Sequence, residues 1–259
     1  MFKNYISVIL RTIRKQTGYS FINIFGLAAG MACCLLMTLW VLDELGFDRF
    51  HENAGHVYRV EENQNYSGRI YHVTVTPYPL APALKDEVPE IAEATRIVRS
   101  GGTLFRAGDK SFYEDRVIAV DPSFLRIFSF PLIEGDAATA LADPFSVVLS
   151  EDAAKRYFGG ENPTGRALTV NDAFELKVTG VARNVPLNST VRFDVLIPYE
   201  LLKSRGRTQE NFNGNAVGTY VQLRAGASVP AVNAKIRDFI KRRAPNNDVA
   251  LELIPLPLH

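Results

Sequence analysis

From Phe21 to Leu42 the chain runs for 22 residues without a charge, and Asn23 and Thr38 are its overtly polar side chains. As a helix this stretch reaches ~33 Å, enough to cross a hydrocarbon core of ~30 Å. A core helix of a water-soluble protein keeps a polar face, and this one has none. The chain therefore reads as three segments: a cytoplasmic amphipathic juxtamembrane helix over 1–19, a transmembrane helix over 20–42, and an extracytoplasmic domain over 43–259.

The flanks give an orientation. Lys3, Arg11, Arg14 and Lys15 precede the apolar run with no acidic residue among them, and Asp43, Glu44 and Asp48 follow it. Basic residues stay on the cytoplasmic side, so the N-terminus is expected inside and the large domain outside. The formal charge of +1 hides this split, since residues 43–259 carry 25 basic against 28 acidic side chains. A mildly acidic domain argues against nucleic-acid binding, which needs a basic footprint. A cleaved signal peptide fits poorly, because leader and apolar run both exceed the usual lengths. Ala32-Cys33 is a weak lipoprotein-type site, with Gly30 where Leu is expected.

Phe2, Tyr5, Ile6, Ile9, Leu10 and Ile13 recur at helical spacing in the leader, as in a helix lying on the lipid surface; a frayed basic tail is the alternative. Gly26-x-x-x-Gly30 offers a flat stripe for a second membrane helix. Both cysteines, Cys33 and Cys34, lie mid-run, leaving no disulfide framework or metal knuckle outside the membrane.

The remainder mixes strand and helix patterns. Strands are expected at Val57–Val60 and Tyr71–Val75 around a turn at Asn65–Gly68, then at Thr95–Arg99, Thr103–Arg106 and Arg116–Val120. A helix is expected within Pro79–Val88. A second should be capped by Ser150 and run to Phe158, and a third should span Val229–Arg243 with Ser228 as cap. Val249, Leu251 and Leu253 alternate as in a half-buried strand. The expected fold class is α+β: an N-terminal transmembrane helix followed by a two-lobed mixed α/β domain, with a boundary between 121 and 150.

Signatures of chemistry are sparse. The sequence has no phosphate loop and no GxSxG elbow. His51-Glu52 begins like a zincin motif, but Gly55 stands where the second ligand belongs, so His51 and His56 read as exposed or capping. Asp109, Glu114 and Asp115 read as solvated turn positions. Asn65-Tyr66-Ser67 and Asn188-Ser189-Thr190 match the glycosylation sequon. No enzyme activity, metal or cofactor is expected.

Several blocks carry a resemblance. Ser20–Leu27 resembles the first membrane helix of FtsX-type ABC permeases, and Leu45–Asn53 followed by Val57–Val60 resembles the start of a MacB-like periplasmic core domain. Val148–Glu151 with Ala154–Gly165 is similar to that family's "LSE…A…yFG…nPiGk" signature, and Val178–Val181 with Val185–Ser189 to its "VtGV…vPxNSH" segment. Phe158, Gly159, Pro163, Gly165, Pro186 and Asn188 are read as fold signature: an aromatic core plug, a left-handed helix end, and turns into following strands. Thr164, Arg166 and Thr190 depart from the pattern, which usually has His at the last, on what reads as a surface turn.

The resemblance implies a permease subunit, or its N-terminal half-unit, in a MacB/FtsX/LolC-type ABC transporter of a bacterial inner membrane, with the large domain in the periplasm. It also implies a separate cytoplasmic ABC ATPase as partner, a homodimer or paired permease, a possible periplasmic adaptor, and mechanotransmission serving export or efflux. The sequence stops about where relatives approach a second membrane helix, so the alternative is a single-helix anchored binding or scaffold module without ATP coupling.

Overall fold

Two helices make up the first of two units, Met1–Gly46: α1 (Phe2–Lys15) and α2 (Thr17–Leu45), separated at Gln16. The computed structural model describes residues 2–256, with side chains placed for residues 7, 8 and 11–256. The amphipathic reading of Phe2, Tyr5, Ile6, Ile9 and Leu10 thus falls outside the described side chains, and Pro257, Leu258 and His259 outside the described residues. The helix over the apolar run is longer than 20–42, at 29 residues, and none of its span is buried within the molecule. Phe21, Leu36 and Trp40 are about two-thirds exposed, an arrangement suited to lipid rather than water.

The second unit, Phe47–His259, is built on a mixed sheet. In chain order its elements are β1 (Val57–Tyr66), β2 (Arg69–Val73), β3 (Thr76–Pro77), α3 (Leu80–Glu87), β4 (Ile91–Arg99), β5 (Thr103–Ala107), β6 (Lys110–Glu114) and β7 (Val117–Val120). Then come α4 (Phe124–Ile127), β8 (Leu132–Glu134), β9 (Ser146–Ser150), α5 (Glu151–Phe158), β10 (Ala167–Val170) and β11 (Phe174–Ala182). The chain closes with β12 (Val195–Pro198), α6 (Tyr199–Ser204), β13 (Asn215–Leu223), α7 (Val229–Ile236) and β14 (Val249–Pro255).

The strand order is β14-β1-β13-β4-β7-β12-β9-β11-β10-β5-β6, with β2, β3 and β8 pairing beside β1, β13 and β11. Pairing is antiparallel except at β12/β7 and β11/β9. β1 and β2 form a hairpin turned at Ser67 and Gly68, both at positive φ, as a two-residue type I′ turn requires. Three apolar clusters fill the domain: one around Leu84, Val221 and Ile236, one around Phe124, Phe128 and Phe193, and one around Phe105, Tyr157 and Leu176.

A mixed α/β domain is what the chain builds, but no single boundary at 121–150 divides it. β5 and β6 precede that region yet sit at one end of the sheet beside β10, whereas β13 and β14 follow it yet flank β1 at the other. The sequence crosses the sheet repeatedly, so its two ends interleave along the chain.

Two further expectations are corrected. The Val229–Arg243 helix stops at Ile236, because the Arg237 carbonyl turns toward β14 and accepts the Leu251 amide at 2.9 Å. Residues 237–243 continue as successive turns and still bury Phe239 and Ile240. Ser228 makes no side-chain cap bond. By contrast, the Ser150 hydroxyl accepts the Ala153 amide at 3.2 Å at the start of α5, the position a cap must occupy.

Candidate functional site

Two motifs far apart in sequence meet where the chain enters the domain. Asp48 is buried and sits at φ 53°, a left-handed conformation that Asp tolerates better than most residues. Its amide donates to the Asn188 carbonyl at 2.9 Å. Its carboxylate accepts the Thr190 amide at 2.8 Å on Oδ1 and the Thr190 hydroxyl on Oδ2. The Ser189 hydroxyl lies 3.3 Å from Oδ1 and 3.0 Å from the Val191 carbonyl, so its single proton is shared between them. Thr190 is therefore no idle surface-turn residue: it holds a buried carboxylate, and the departure from His falls on this contact. Pro186 is exposed and Asn188 half-buried, its carbonyl accepting the Asp48 amide.

His51 follows in the same loop. It is buried rather than exposed, its ring edge-on to Phe128 and Phe130 at centroid distances of 5.2 and 4.9 Å and tilted against Phe50 at 4.1 Å. Among the described residues neither ring nitrogen has a hydrogen-bond partner. Burial pushes the imidazole down to about 4, with the Asp48 charge pulling weakly the other way. At neutral pH it is an uncharged aromatic filler. A backbone-to-side-chain bond finishes the loop's attachment: the Glu52 amide donates to Ser129 Oγ at 3.1 Å.

The Asp109, Glu114 and Asp115 set also resolves differently from expectation. Asp109 and Asp115 are exposed, but Glu114 is buried and bound by Arg156 at 2.7 Å and by the Tyr157 hydroxyl at 2.9 Å. Burial first, and then the Glu114 carboxylate, raise the Tyr157 phenol well above its usual range. This trio pins α5 to β6. Glu62 on β1 is a third buried acid, after Asp48 and Glu114. Its Oε2 accepts from Gln64 and Asn215 at 2.8 and 2.6 Å, its Oε1 has no partner, and burial raises its pKa against those two bonds.

The remaining motif residues shape the backbone. Phe158 ends α5 inside the Phe105–Leu176 cluster. Gly159 follows at φ 66°, ψ −123°, the mirror image of an extended residue rather than the left-handed helical cap expected from the sequence. Pro163 accepts the Arg166 amide at 3.0 Å across a turn, and Gly165, at φ 86°, bonds β11 through the Val178 carbonyl at 2.7 Å. Gly26 and Gly30 lie on the exposed surface of α2, with no atom within 4 Å of where a Cβ would stand. Among the described residues no three His, Cys, Asp or Glu side chains converge on a metal position.

The comparisons with known proteins agree with this architecture. The family model of the MacB-like periplasmic core domain matches residues 20–239, and the chain belongs to that family. A domain assigned to a permease protein of Porphyromonas gingivalis superposes with a TM-score of 0.70 at 22% identity, covering 80% of this chain and 92% of that one. The periplasmic region of MacB from Actinobacillus actinomycetemcomitans gives 0.56 at 20%, with 76% and 88% covered. The extracellular domain of the noncanonic ABC-type transporter YknZ from Gram-positive bacteria gives 0.52 at 12%, with 76% and 99% covered. At these identities the structural likeness is one of fold. No curated protein matches the sequence.

Proposed function

We propose that this chain is the periplasmic mechanical element of an ABC permease, anchored by α2 with its N-terminus in the cytoplasm. It works with a separate cytoplasmic ATPase and acts as a pair of copies to drive export or efflux, with a periplasmic adaptor as a further partner. It performs no bond chemistry of its own. Membership of the MacB-like family carries this reading. The Asp48 clamp is consistent with a domain whose own entry segment is firmly held, since it fixes residue 48 to Thr190. The basic leader and acidic exit support the orientation.

The test is affinity purification of the native polypeptide from source-cell membranes. Recovery of an ABC ATPase, with ATP-dependent cross-linking between copies through a cysteine placed at Lys110, is the expected result. Persistent absence of any ATPase would overturn the coupling and leave an anchored binding or scaffold module. Gly26→Leu with Gly30→Leu should weaken association of copies if the small-residue stripe packs helices together.

A further inference from the structure

A cavity of about 300 Å³ opens beside α6 at the β5/β10 end of the sheet, within the size range of small-molecule sites. Its floor is made by the buried side chains of Phe105, Val170, Leu176 and Leu201, and no acidic residue lines it. The exposed members of its lining include Arg205 and Arg207, placed just past α6 by backbone bonds from their amides to Leu201 and Leu202 at 3.2 and 2.9 Å. Arg205 is stacked over the Phe174 ring at 3.7 Å, which holds its planar fork at the mouth. Among the described residues neither arginine takes part in an ion pair, which leaves both guanidinium groups free of a protein carboxylate at the mouth.

We infer that this cavity binds a small amphiphilic anion, an alkyl carboxylate whose chain lies against Phe105 and Leu176 and whose head group meets Arg205 and Arg207. A compact polar anion would leave the apolar floor unfilled, and such a floor gains little from water. A neutral alkane would leave two guanidinium groups without a counter-charge. An amphiphile satisfies both, because arginine forks match a carboxylate with two parallel hydrogen bonds while the chain leaves water. The inference rests on this cavity alone and is independent of ATPase coupling, so the two readings fail separately.

The test is calorimetric titration of the full chain, held in phosphatidylcholine nanodiscs, with hexanoate, octanoate and decanoate, using empty nanodiscs as background. The expected result is saturable one-site binding that tightens up to about fourfold per added methylene until the cavity is filled. Arg205→Glu with Arg207→Glu should weaken it at least ~10-fold, the loss expected from removing a charge-assisted bidentate contact. Arg207→Glu alone, which keeps the Phe174 stack, should weaken it as well. Both variants alter exposed side chains, and an unchanged circular dichroism melting curve confirms that they fold. Binding equal in the charge-reversed and unaltered proteins, equal for octyltrimethylammonium, or absent above the empty nanodiscs would overturn the inference.

Discussion

Asp48 and Thr190 stand 142 positions apart and are joined by two hydrogen bonds, from the Thr190 amide and hydroxyl to the two oxygens of one buried carboxylate. The pair closes the domain at the point where the chain arrives from α2. Removing the carboxylate leaves a part-buried amide and hydroxyl without their acceptor. Asp48→Ala should therefore cost about 2–3 kcal/mol, including the strain of an Ala at positive φ. Asp48→Gly relieves that strain but not the lost bonds and should fall below this, and Asp48→Asn, which keeps an acceptor and tolerates the backbone, should cost least. Urea unfolding of the three variants checks the order; an equal cost for all three would mean that the clamp contributes nothing.

His51 predicts a pH dependence of stability. Its pKa in the folded protein lies near 4, below the 6.5 of the free side chain, so the unfolded chain binds the extra proton between those values. Its contribution is complete above about pH 6.5 and is lost as pH falls toward 4, at most about 3 kcal/mol over the window. Glu62 acts with the opposite sign: its raised pKa makes the folded state favour the protonated acid, so its contribution is complete below 4.5 and is lost as pH rises. The two are separated by substitution. His51→Phe should flatten the stability curve between pH 4 and 6.5, while Glu62→Gln should raise stability at pH 7–8. A curve for His51→Phe parallel to the unaltered protein's would rule His51 out as the source.

Gly135 predicts a site of steric intolerance. It adopts φ 90°, and a Cβ there would stand 2.4 Å from the Thr179 carbonyl oxygen and 2.9 Å from the Gly180 Cα. Both obstacles are backbone, in the strand where Thr179 is bulged and its hydroxyl donates toward Ala140 at 2.6 Å. Gly135→Ala should cost more than the ~1 kcal/mol of an ordinary glycine replacement at positive φ, because β8 must also separate from β11. Thermal unfolding checks this, with Gly108→Ala, at φ 60° but with open space around it, as the comparison carrying backbone strain alone.

Local signals were legible in the sequence wherever a residue's role depends on its neighbours along the chain. Ser150 with Glu151 and Asp152 marks the start of α5, Ser67-Gly68 marks a hairpin tip, and the alternation of Val249, Leu251 and Leu253 marks a half-buried strand. β9 and β12 gave no such signal. They are buried along their whole length, and a short continuous apolar run has no period to distinguish strand from helix. The motifs of the family resemblance identified the fold, but not which of their residues would touch.

The 22-residue uncharged run by itself determined that this protein has a helix long and apolar enough to cross a membrane, since length and the absence of a polar face are properties of the local chain. Only the tertiary structure decided that Asp48, His51, Glu62 and Glu114 are buried. A polar residue is placed inside by partners brought from elsewhere in the chain: Thr190 for Asp48, Asn215 for Glu62, Arg156 for Glu114, and an aromatic cage for His51. Those partners lie 42 or more positions away from three of these four residues, beyond the reach of any pattern read along a single segment.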